Sequence, residues 1–185
     1  MVAQPSVNDF WVFGYGSLIW RPGFSHIERR MAQIFGYHRA LCIYSHVHRG
    51  TPETPGLVLG LDAGGTCHGV AYRVAGSARE EVMAYLRARE QATMVYRETQ
   101  VPAHLSTGGV VSAVTYVAER DHAQYAGRLL PERLLALVRQ GCGISGENPE
   151  YILNTYKHLE ELGIHDETLA WLAKRLGPEY VAPAS

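Results

Sequence analysis

The stretch WVFGYGSLIW, residues 11–20, begins as a buried strand and then breaks into a turn that contains two glycines. Aromatic and β-branched residues favour an extended, buried segment. Gly14 and Gly16 interrupt that segment at a cost in packing and backbone entropy, which a chain accepts where it turns sharply or approaches another group closely. The N–H groups around Gly16 to Leu18 would then face an anionic ligand as a nest. A β-bulge or barrel corner without a ligand explains the same glycines, so this stretch alone leaves both interpretations open.

Length and composition fit a single globular domain over residues 1–185. Of the 185 residues, 46% are hydrophobic and 19% are charged, which allows a sizeable core. With 17 basic and 18 acidic residues the net charge is −1, so no electrostatic footprint for nucleic acid or an anionic membrane is present. No apolar run is long enough to span a membrane, and residues 1–8 lack the pattern of a signal peptide. These features predict a cytoplasmic protein.

The cysteines and histidines indicate neither a metal nor a cofactor. Cys42, Cys67 and Cys142 are far apart in the sequence, which argues against a disulfide framework or a zinc site. Cys42 lies in an apolar run, where a small buried hydrophobe is expected rather than a catalytic thiol. His46 and His48 form a pair without a third ligand at a suitable spacing. We therefore predict a protein without a metal site.

The apolar runs predict an α+β fold with a mixed or antiparallel sheet that curls on itself. A Ser-Thr-Gly-Gly turn at residues 106–109 predicts a hairpin between the last two strands. The expected strands are Trp11–Phe13, Ala32–Tyr37, Ala40–Tyr44, Leu57–Leu61, Gly69–Val74, Val101–Leu105 and Val110–Val117.

Four helices are expected from their end signals. The first would be capped by Ser77 with Glu80 in a capping box and run to Gln91. The other three follow the last strand and are marked by prolines, caps and terminal glycines. They would run from Pro131 to Gln140, from an Asn148 cap to an end just before Gly163, and from an Asp166 cap to Gly177.

Glu90 stands out on the first of these helices. Val82, Tyr85 and Leu86 form its apolar stripe, and Glu90 falls about 40° from Leu86 and about 20° from Met83 on a helical wheel. A carboxylate on a core-facing side tends to have a raised pKa, which suits it to moving protons near neutral pH. The alternative is that Glu90 frays into water at the helix end or pairs with Arg89 or Arg97.

Ser17 is a weak nucleophile candidate, because the sequence has no G-x-S-x-G elbow and no identifiable base for it. The G-Y-G-S turn also fails the dinucleotide-binding and phosphate-loop patterns, since neither G-x-G-x-x-G nor G-K-[ST] is present.

A series of sequence blocks extends in order from about residue 10 to residue 172. The first is FGYGSLIW at residues 13–20, and the helix-ending Arg89-Glu90 is another. The remaining blocks are residues 36–39 (GYHR), 48–53 (HRGTPE), 55–59 (PGLVL), 69–74 (GVAYRV), 145–151 (SGENPEY), 154–155 (NT) and 162–166 (LGIHD). Together they resemble the ChaC family of glutathione-specific γ-glutamylcyclotransferases.

The resemblance implies a mixed β-barrel with flanking helices, the γ-glutamylcyclotransferase-like fold. It implies a lyase that cleaves glutathione to 5-oxoproline and cysteinylglycine. Glu90 matches the family's catalytic glutamate, and its substrate-binding turn matches Phe13, Gly14, Tyr15, Gly16, Ser17 and Leu18. One departure concerns the pocket wall: Val95 stands before Tyr96, where family members often carry a glycine.

Such a reaction needs no nucleophilic side chain, because the α-amine of the γ-glutamyl group attacks its own γ-carbonyl carbon. Glu90 would act as base and then as acid, and the turn would hold the α-carboxylate or the developing oxyanion. Tyr15 would wall the pocket, donate its hydroxyl, or pack in the barrel. Tyr96 and Tyr151 are further pocket candidates, although buried tyrosines are common structural residues.

Two other functions stay open at this point. The same turn and glutamate would serve a cyclotransferase for another γ-glutamyl amine or dipeptide. A non-catalytic regulatory protein of cation transport is the third possibility, and the glutamate on an apolar helix face argues against it.

Overall fold

Five strands close into a barrel in the computed structural model: β1 (Phe10–Gly14), β2 (Glu28–Ser45), β3 (Gly56–Val74), β4 (Tyr96–Leu105) and β5 (Val110–Ala118). Their order around the barrel is β1-β3-β2-β4-β5. β1 pairs antiparallel with β3 and parallel with β5, and β4 pairs antiparallel with both β2 and β5. The α+β class and the mixed barrel expected from the sequence are confirmed.

The structure describes residues 9–91 and 94–177, and these divide into two compact units. The first takes the described parts of Met1–Ala40 and Gly60–Glu119, and the second takes those of Leu41–Leu59 and Arg120–Ser185. The organisation of residues 1–185 as a single domain stays a prediction.

The two longest strands were each expected as two. β2 replaces the runs Ala32–Tyr37 and Ala40–Tyr44, and β3 replaces Leu57–Leu61 and Gly69–Val74. The separations were wrong because residues 38–39 and 62–68, which lie between the expected runs, continue the strands. Gly64 and Gly65, with φ at 97° and 72°, adopt a conformation that glycine accepts without steric cost, and β3 continues through them.

The first unit buries one face of α1 (Arg79–Glu90) against the barrel. Val82, Met83 and Leu86 on that face join a core cluster. The cluster also contains Phe10, Val12, Leu18, Val74, Val114 and Tyr116. Tyr85 is 36% exposed, so its place in the apolar stripe was wrong and Met83 takes that role.

The start of α1 also differs from the expected one. A 3₁₀ turn over Gly76–Ala78 precedes the helix, and its N-cap is Ala78, without a side-chain hydrogen bond. The capping box of Ser77 and Glu80 is therefore absent.

The second unit contains α2 (Pro131–Gln140), the short strands β6 (Cys142–Gly143) and β7 (Gly146–Glu147), α3 (Asn148–Glu161) and α4 (Glu167–Ala173). Asp166 caps α4 as expected, accepting from the Leu169 N–H at 3.0 Å. α4 ends at Ala173 rather than at Gly177.

Asn148 is not the cap of α3, whose N-cap is Glu147. The Asn148 side chain is fully buried and bonds instead to β3. It accepts from the Leu57 N–H and donates to the Leu57 carbonyl oxygen, both at 2.8 Å. None of the helices in the described ranges combines the length and apolar character that a membrane span requires.

Candidate active site

The glycine turn after β1 is held through its carbonyl groups. The Thr115 hydroxyl, from β5, donates to the Phe13 carbonyl oxygen at 3.0 Å. The Arg39 guanidinium, from β2, donates through Nε to the Tyr15 carbonyl oxygen at 2.6 Å. Phe13 and Tyr15 are both buried, so two side chains from other strands fix the backbone just where β1 ends.

A second pair of anchors fixes the 3₁₀ turn Ser17–Ile19 that follows. The Tyr72 hydroxyl, from β3, lies 2.8 Å from the carbonyl oxygen of Leu18 and 2.9 Å from that of Ile19. The two oxygens share its single proton as acceptors. The Gly16 carbonyl accepts from the Ile19 N–H at 2.9 Å. Tyr72 is 1% exposed, so this anchor lies deep in the barrel.

Because these side chains bind the carbonyl groups of the turn, the N–H groups of the turn stay available. Within the described residues, the N–H groups of Gly16, Ser17 and Leu18 make no hydrogen bond. Three consecutive donors without an acceptor form the kind of concavity that binds an anion. These are the donors that the sequence predicts for an anion nest, which stays a prediction.

Gly14 is needed for close packing rather than for an unusual backbone angle. A Cβ atom at Gly14 would lie 2.9 Å from the Leu18 Cβ, and one at Gly69 would lie 2.3 Å from the Gly14 carbonyl oxygen. Side chains at these positions would therefore push the turn away from its place.

Glu90 is the last residue of α1, and its side chain is 17% exposed. It does not fray into water. Burial raises the pKa of the Glu90 carboxyl, and the charge of Arg89 opposes that rise. The Arg89 Nε lies 3.3 Å from Glu90 Oε1, so the carboxylate is both largely desolvated and paired. Arg97, the other expected partner, pairs with Glu119.

Arg89 connects Glu90 to the glycine turn. Its Nη2 donates to the Ser17 hydroxyl oxygen at 2.5 Å, while Nε faces the Glu90 carboxylate. Glu90 and the turn that contains Ser17 therefore contact the same guanidinium. Ser17 and Arg89 are 72 residues apart in the sequence.

A buried tyrosine from β5 lies within electrostatic reach of Glu90. Burial raises the pKa of Tyr116, and the negative charges of Glu98 and Glu90 act in the same direction. The Tyr116 hydroxyl donates to Glu98 Oε2 at 3.1 Å. Arg87 binds both oxygens of Glu98, at 2.8 and 3.0 Å, and thereby lowers the pKa of that carboxyl.

The remaining predicted pocket residues fall in different places. Tyr96 is half-buried and packs against the core cluster of the first unit. Val95 beside it is fully buried, at 1% exposure. Tyr151 belongs to the second unit, where its hydroxyl accepts from the Leu59 N–H at 3.1 Å and the Arg49 guanidinium lies 5.6 Å from its ring centre.

The weaker candidates Cys42, His46 and His48 all lie in the second unit. Cys42 is buried, as expected for a small hydrophobe. His46 stacks on Tyr44, and His48 Nδ1 lies 2.8 Å from the Ser145 hydroxyl. Across the described ranges, no three His, Cys, Asp or Glu side chains are grouped to hold a metal ion.

The anchors Arg39, Tyr72 and Thr115 were not predicted as parts of the site. Their partners lie 24 to 102 residues away in the sequence, so no local pattern identifies them. The one available signal is a polar residue inside a strand, such as Thr115 within the apolar run of β5.

Comparison with known proteins places these features in a family. The model of the ChaC-like protein family matches residues 10–177. The glutathione-specific γ-glutamylcyclotransferase of Escherichia coli K12 is 31% identical over 91% of this chain and 73% of its own length. Glutathione-specific γ-glutamylcyclotransferase 1 of mouse is 34% identical over 95% of this chain and 83% of its own.

A solved structure agrees with these sequence relatives. The crystal structure of a γ-glutamyl cyclotransferase specific to glutathione from yeast superimposes with a TM-score of 0.80 at 25% identity, covering 90% of this chain and 96% of that one. The family model and the relatives cover most of the barrel and the helices described above. The chain therefore belongs to the ChaC-like protein family.

Proposed function

We propose that this protein is a γ-glutamylcyclotransferase, a carbon–nitrogen lyase that cleaves glutathione to 5-oxoproline and cysteinylglycine. The observation that carries the proposal is the largely buried Glu90 carboxylate, joined through Arg89 to a turn with three available N–H groups. The relatives in bacteria and mammals whose names give this activity support the choice of substrate.

The reaction is a ring closure within one molecule. The α-amino nitrogen of the γ-glutamyl group bonds to its own γ-carbonyl carbon, and the bond from that carbon to the cysteinyl nitrogen breaks. Two protons leave the attacking nitrogen, which enters as an ammonium and ends as a lactam N–H. The departing nitrogen gains two and leaves as an ammonium, so no external reactant is consumed. Holding the amine against the carbonyl supplies much of the acceleration.

Glu90 moves the proton that matters for the barrier. As a carboxylate it accepts a proton from the attacking nitrogen, and as a carboxylic acid it returns one to the departing nitrogen before the C–N bond breaks. A raised pKa brings the two protonation states closer in free energy at neutral pH.

The turn over Phe13 to Leu18 binds the substrate's permanent anion. The Arg89 guanidinium binds the Ser17 hydroxyl of this turn, and a fixed positive environment suits a charge that is present before the reaction begins. We therefore assign the α-carboxylate to this turn. Tyr15, with Gly14 behind it, would form the adjoining wall, and Tyr96 and Tyr151 stay candidates for the pocket.

We further propose that the protein works in the cytoplasm on a small-molecule substrate, without nucleic acid or membrane partners and without a cofactor. The three cysteines form no disulfide, as is usual for proteins of a reducing compartment.

Glu90→Gln tests the assignment of the proton shuttle. The amide keeps the shape of the side chain but cannot exchange a proton, so 5-oxoproline release from glutathione should fall by about 10²- to 10⁴-fold. Glu80→Gln makes the same chemical change at an exposed position of the same helix and should leave turnover unchanged. Circular dichroism checks that both variants fold. A Glu90→Gln enzyme that turns over like the wild type would remove Glu90 from the mechanism.

A substrate panel separates the proposed function from its alternatives. Pure protein is incubated separately with glutathione, with other γ-glutamyl amines, and with glutathione whose γ-glutamyl α-carboxylate has been converted to an amide. The release of 5-oxoproline, or of its amide, is then measured. We expect turnover of glutathione and none of the α-amide. Turnover of other γ-glutamyl amines alone would point to a different cyclotransferase. No product from any compound would favour a non-catalytic protein.

A further inference from the structure

We propose that Arg89 is a positioning residue of the reaction: its guanidinium holds the Glu90 carboxylate and the Ser17 turn at one fixed separation. This inference rests on the proposed function, because it has Arg89 fix the position of the proton-transferring Glu90 relative to the turn that would bind the substrate's anion. It concerns a residue that touches neither of the reacting atoms in the proposed mechanism.

The guanidinium is held from two segments of the first unit, the turn around Ser17 and Arg21 and the helix α1. Nη1 donates to the Arg21 carbonyl oxygen at 2.7 Å and to the Tyr85 hydroxyl oxygen at 2.9 Å. Nη2 donates to the Ser17 hydroxyl oxygen at 2.5 Å, and Nε lies 3.3 Å from Glu90 Oε1. The first two contacts fix the plane of the group, so the last two fix where the nest and the carboxylate lie relative to each other.

Only an arginine can make this set of contacts. The guanidinium is planar and carries five N–H donors in a rigid fork, whereas a lysine ammonium is a compact charge at the end of a flexible chain. Lysine could reach Glu90 or Ser17, but it could not hold both together with Arg21 and Tyr85. The conservative substitution therefore separates charge from geometry.

The contact with Arg89 also decides what Ser17 can do. Its hydroxyl oxygen accepts from a cation, so the hydroxyl hydrogen is left to donate. No acceptor for it is present among the described residues. The Ser17 hydroxyl thus joins the N–H groups as a fourth donor for an anion, and the engaged lone pair disfavours its use as a nucleophile.

The electrostatics of Glu90 depend on the same residue. Arg89 is the cation that lowers the pKa of the Glu90 carboxyl against the effect of burial. Three further groups face this side among the described residues. Tyr116 from β5 feels the Glu90 charge, the Glu98–Arg87 pair is bound to the Tyr116 hydroxyl, and the Tyr85 hydroxyl accepts from Arg89. Without Arg89, the carboxyl would retain burial and lose its compensating cation.

Arg89→Lys and Arg89→Met, compared with the wild type, test the proposal. Both variants should lose about 10- to 100-fold in kcat, because a small misplacement of a catalytic group costs up to about that factor. The acid limb of the pH profile of kcat should move to higher pH in Arg89→Met, because the cation is gone. In Arg89→Lys the limb should stay close to its wild-type position. Arg97→Met is the control, since it removes another ion-paired arginine, 54% exposed and bound to Glu119; it should change neither kcat nor the limb.

A purely structural role would give a different pattern. Loss of folded protein lowers the amount of active enzyme, which reduces the apparent kcat of both variants without moving KM or the acid limb. Full activity of Arg89→Lys, or an unmoved limb in Arg89→Met, would overturn the proposal.

A measurement without substrate separates this inference from the proposed function. Carbon-13 NMR of the glutamate side-chain carboxyls, with the Glu90 signal assigned from the Glu90→Gln variant, follows the titration of Glu90 in the wild type and in Arg89→Met. The midpoint should rise in Arg89→Met even if the protein proved inactive on every γ-glutamyl compound. An unchanged midpoint would reject the role of Arg89 whether or not the enzyme turns over glutathione.

Discussion

At the scale of single residues, Glu90 combines two opposing requirements. Its side chain is 17% exposed, and burying a carboxylate disfavours its charged form. Arg89 lies close enough to offset part of this cost, although the pKa of the carboxyl stays raised. The residue proposed to carry the chemistry is thus also one that strains the folded state.

Glu90→Gln should therefore stabilise the protein at neutral and alkaline pH. The folded-state pKa of Glu90 is raised above its unfolded value, so below about pH 4.3 the carboxyl is protonated in both states and imposes no charge burial. As the pH rises through the raised folded pKa, the wild type loses stability relative to the amide. We expect the difference in melting temperature between Glu90→Gln and the wild type to grow from pH 4 towards pH 8.

Thermal melts at a series of pH values measure this difference, with Glu80→Gln as the control that should show no such growth. A melting temperature of Glu90→Gln that falls below the wild type's as the pH rises would mean that the pairing with Arg89 outweighs the burial.

At the scale of elements, the glycine turn is an irregular segment held by three strands. Arg39 from β2, Tyr72 from β3 and Thr115 from β5 each bind one or two of its carbonyl groups. The strands pair with one another around the barrel, so the anchors have a rigid base. A binding turn on such a base needs little reordering when the substrate enters.

Tyr72→Phe removes one of these anchors without changing the shape of the core. The carbonyl groups of Leu18 and Ile19 would lose their donor in a buried position, which costs about 1–3 kcal/mol of unfolding free energy. Because the same groups fix the turn, KM for glutathione should rise as well. Denaturant unfolding and steady-state kinetics measure the two effects.

Tyr156→Phe is the matched control, because the Tyr156 hydroxyl makes no hydrogen bond within the described residues. Its unfolding free energy and KM should equal those of the wild type. If Tyr72→Phe lost stability but kept its KM, the anchor would serve the barrel alone and the turn would be fixed by its other contacts.

At the scale of the whole molecule, the sequence predicted the class of fold and the position of Glu90, because both depend on local periodicity. It did not predict that residues 38–39 and 62–68 would continue strands, since polar residues and glycines usually mark a break; there His38 contacts Gly64 and Arg39 contacts His68. It also missed Arg39, Tyr72 and Thr115, whose partners are distant along the chain. Asn148 has the composition of a cap, yet its amide is used to bind β3. In each case a long-range contact overrides the local signal.

Residues 1–185 are predicted to form a single domain. β2 and β3 each run through residues of both units. We expect one cooperative transition. The three tryptophans allow each unit to be followed separately by fluorescence: Trp171→Phe leaves Trp11 and Trp20 in the first unit, and Trp11→Phe with Trp20→Phe leaves Trp171 in the second.

Asn148→Ala, placed in each of these two backgrounds, perturbs only the second unit directly. It removes both hydrogen bonds to Leu57 and should cost about 1–3 kcal/mol, or roughly 2–4 °C in melting temperature per kcal/mol for a chain of this length. If the chain is one domain, the fluorescence of both units shifts by the same amount, whereas Asn154→Ala in the same helix shifts neither. A shift confined to Trp171 would show that the units melt independently, because the hydrogen bonds of Asn148 would then stabilise only the unit that contains them.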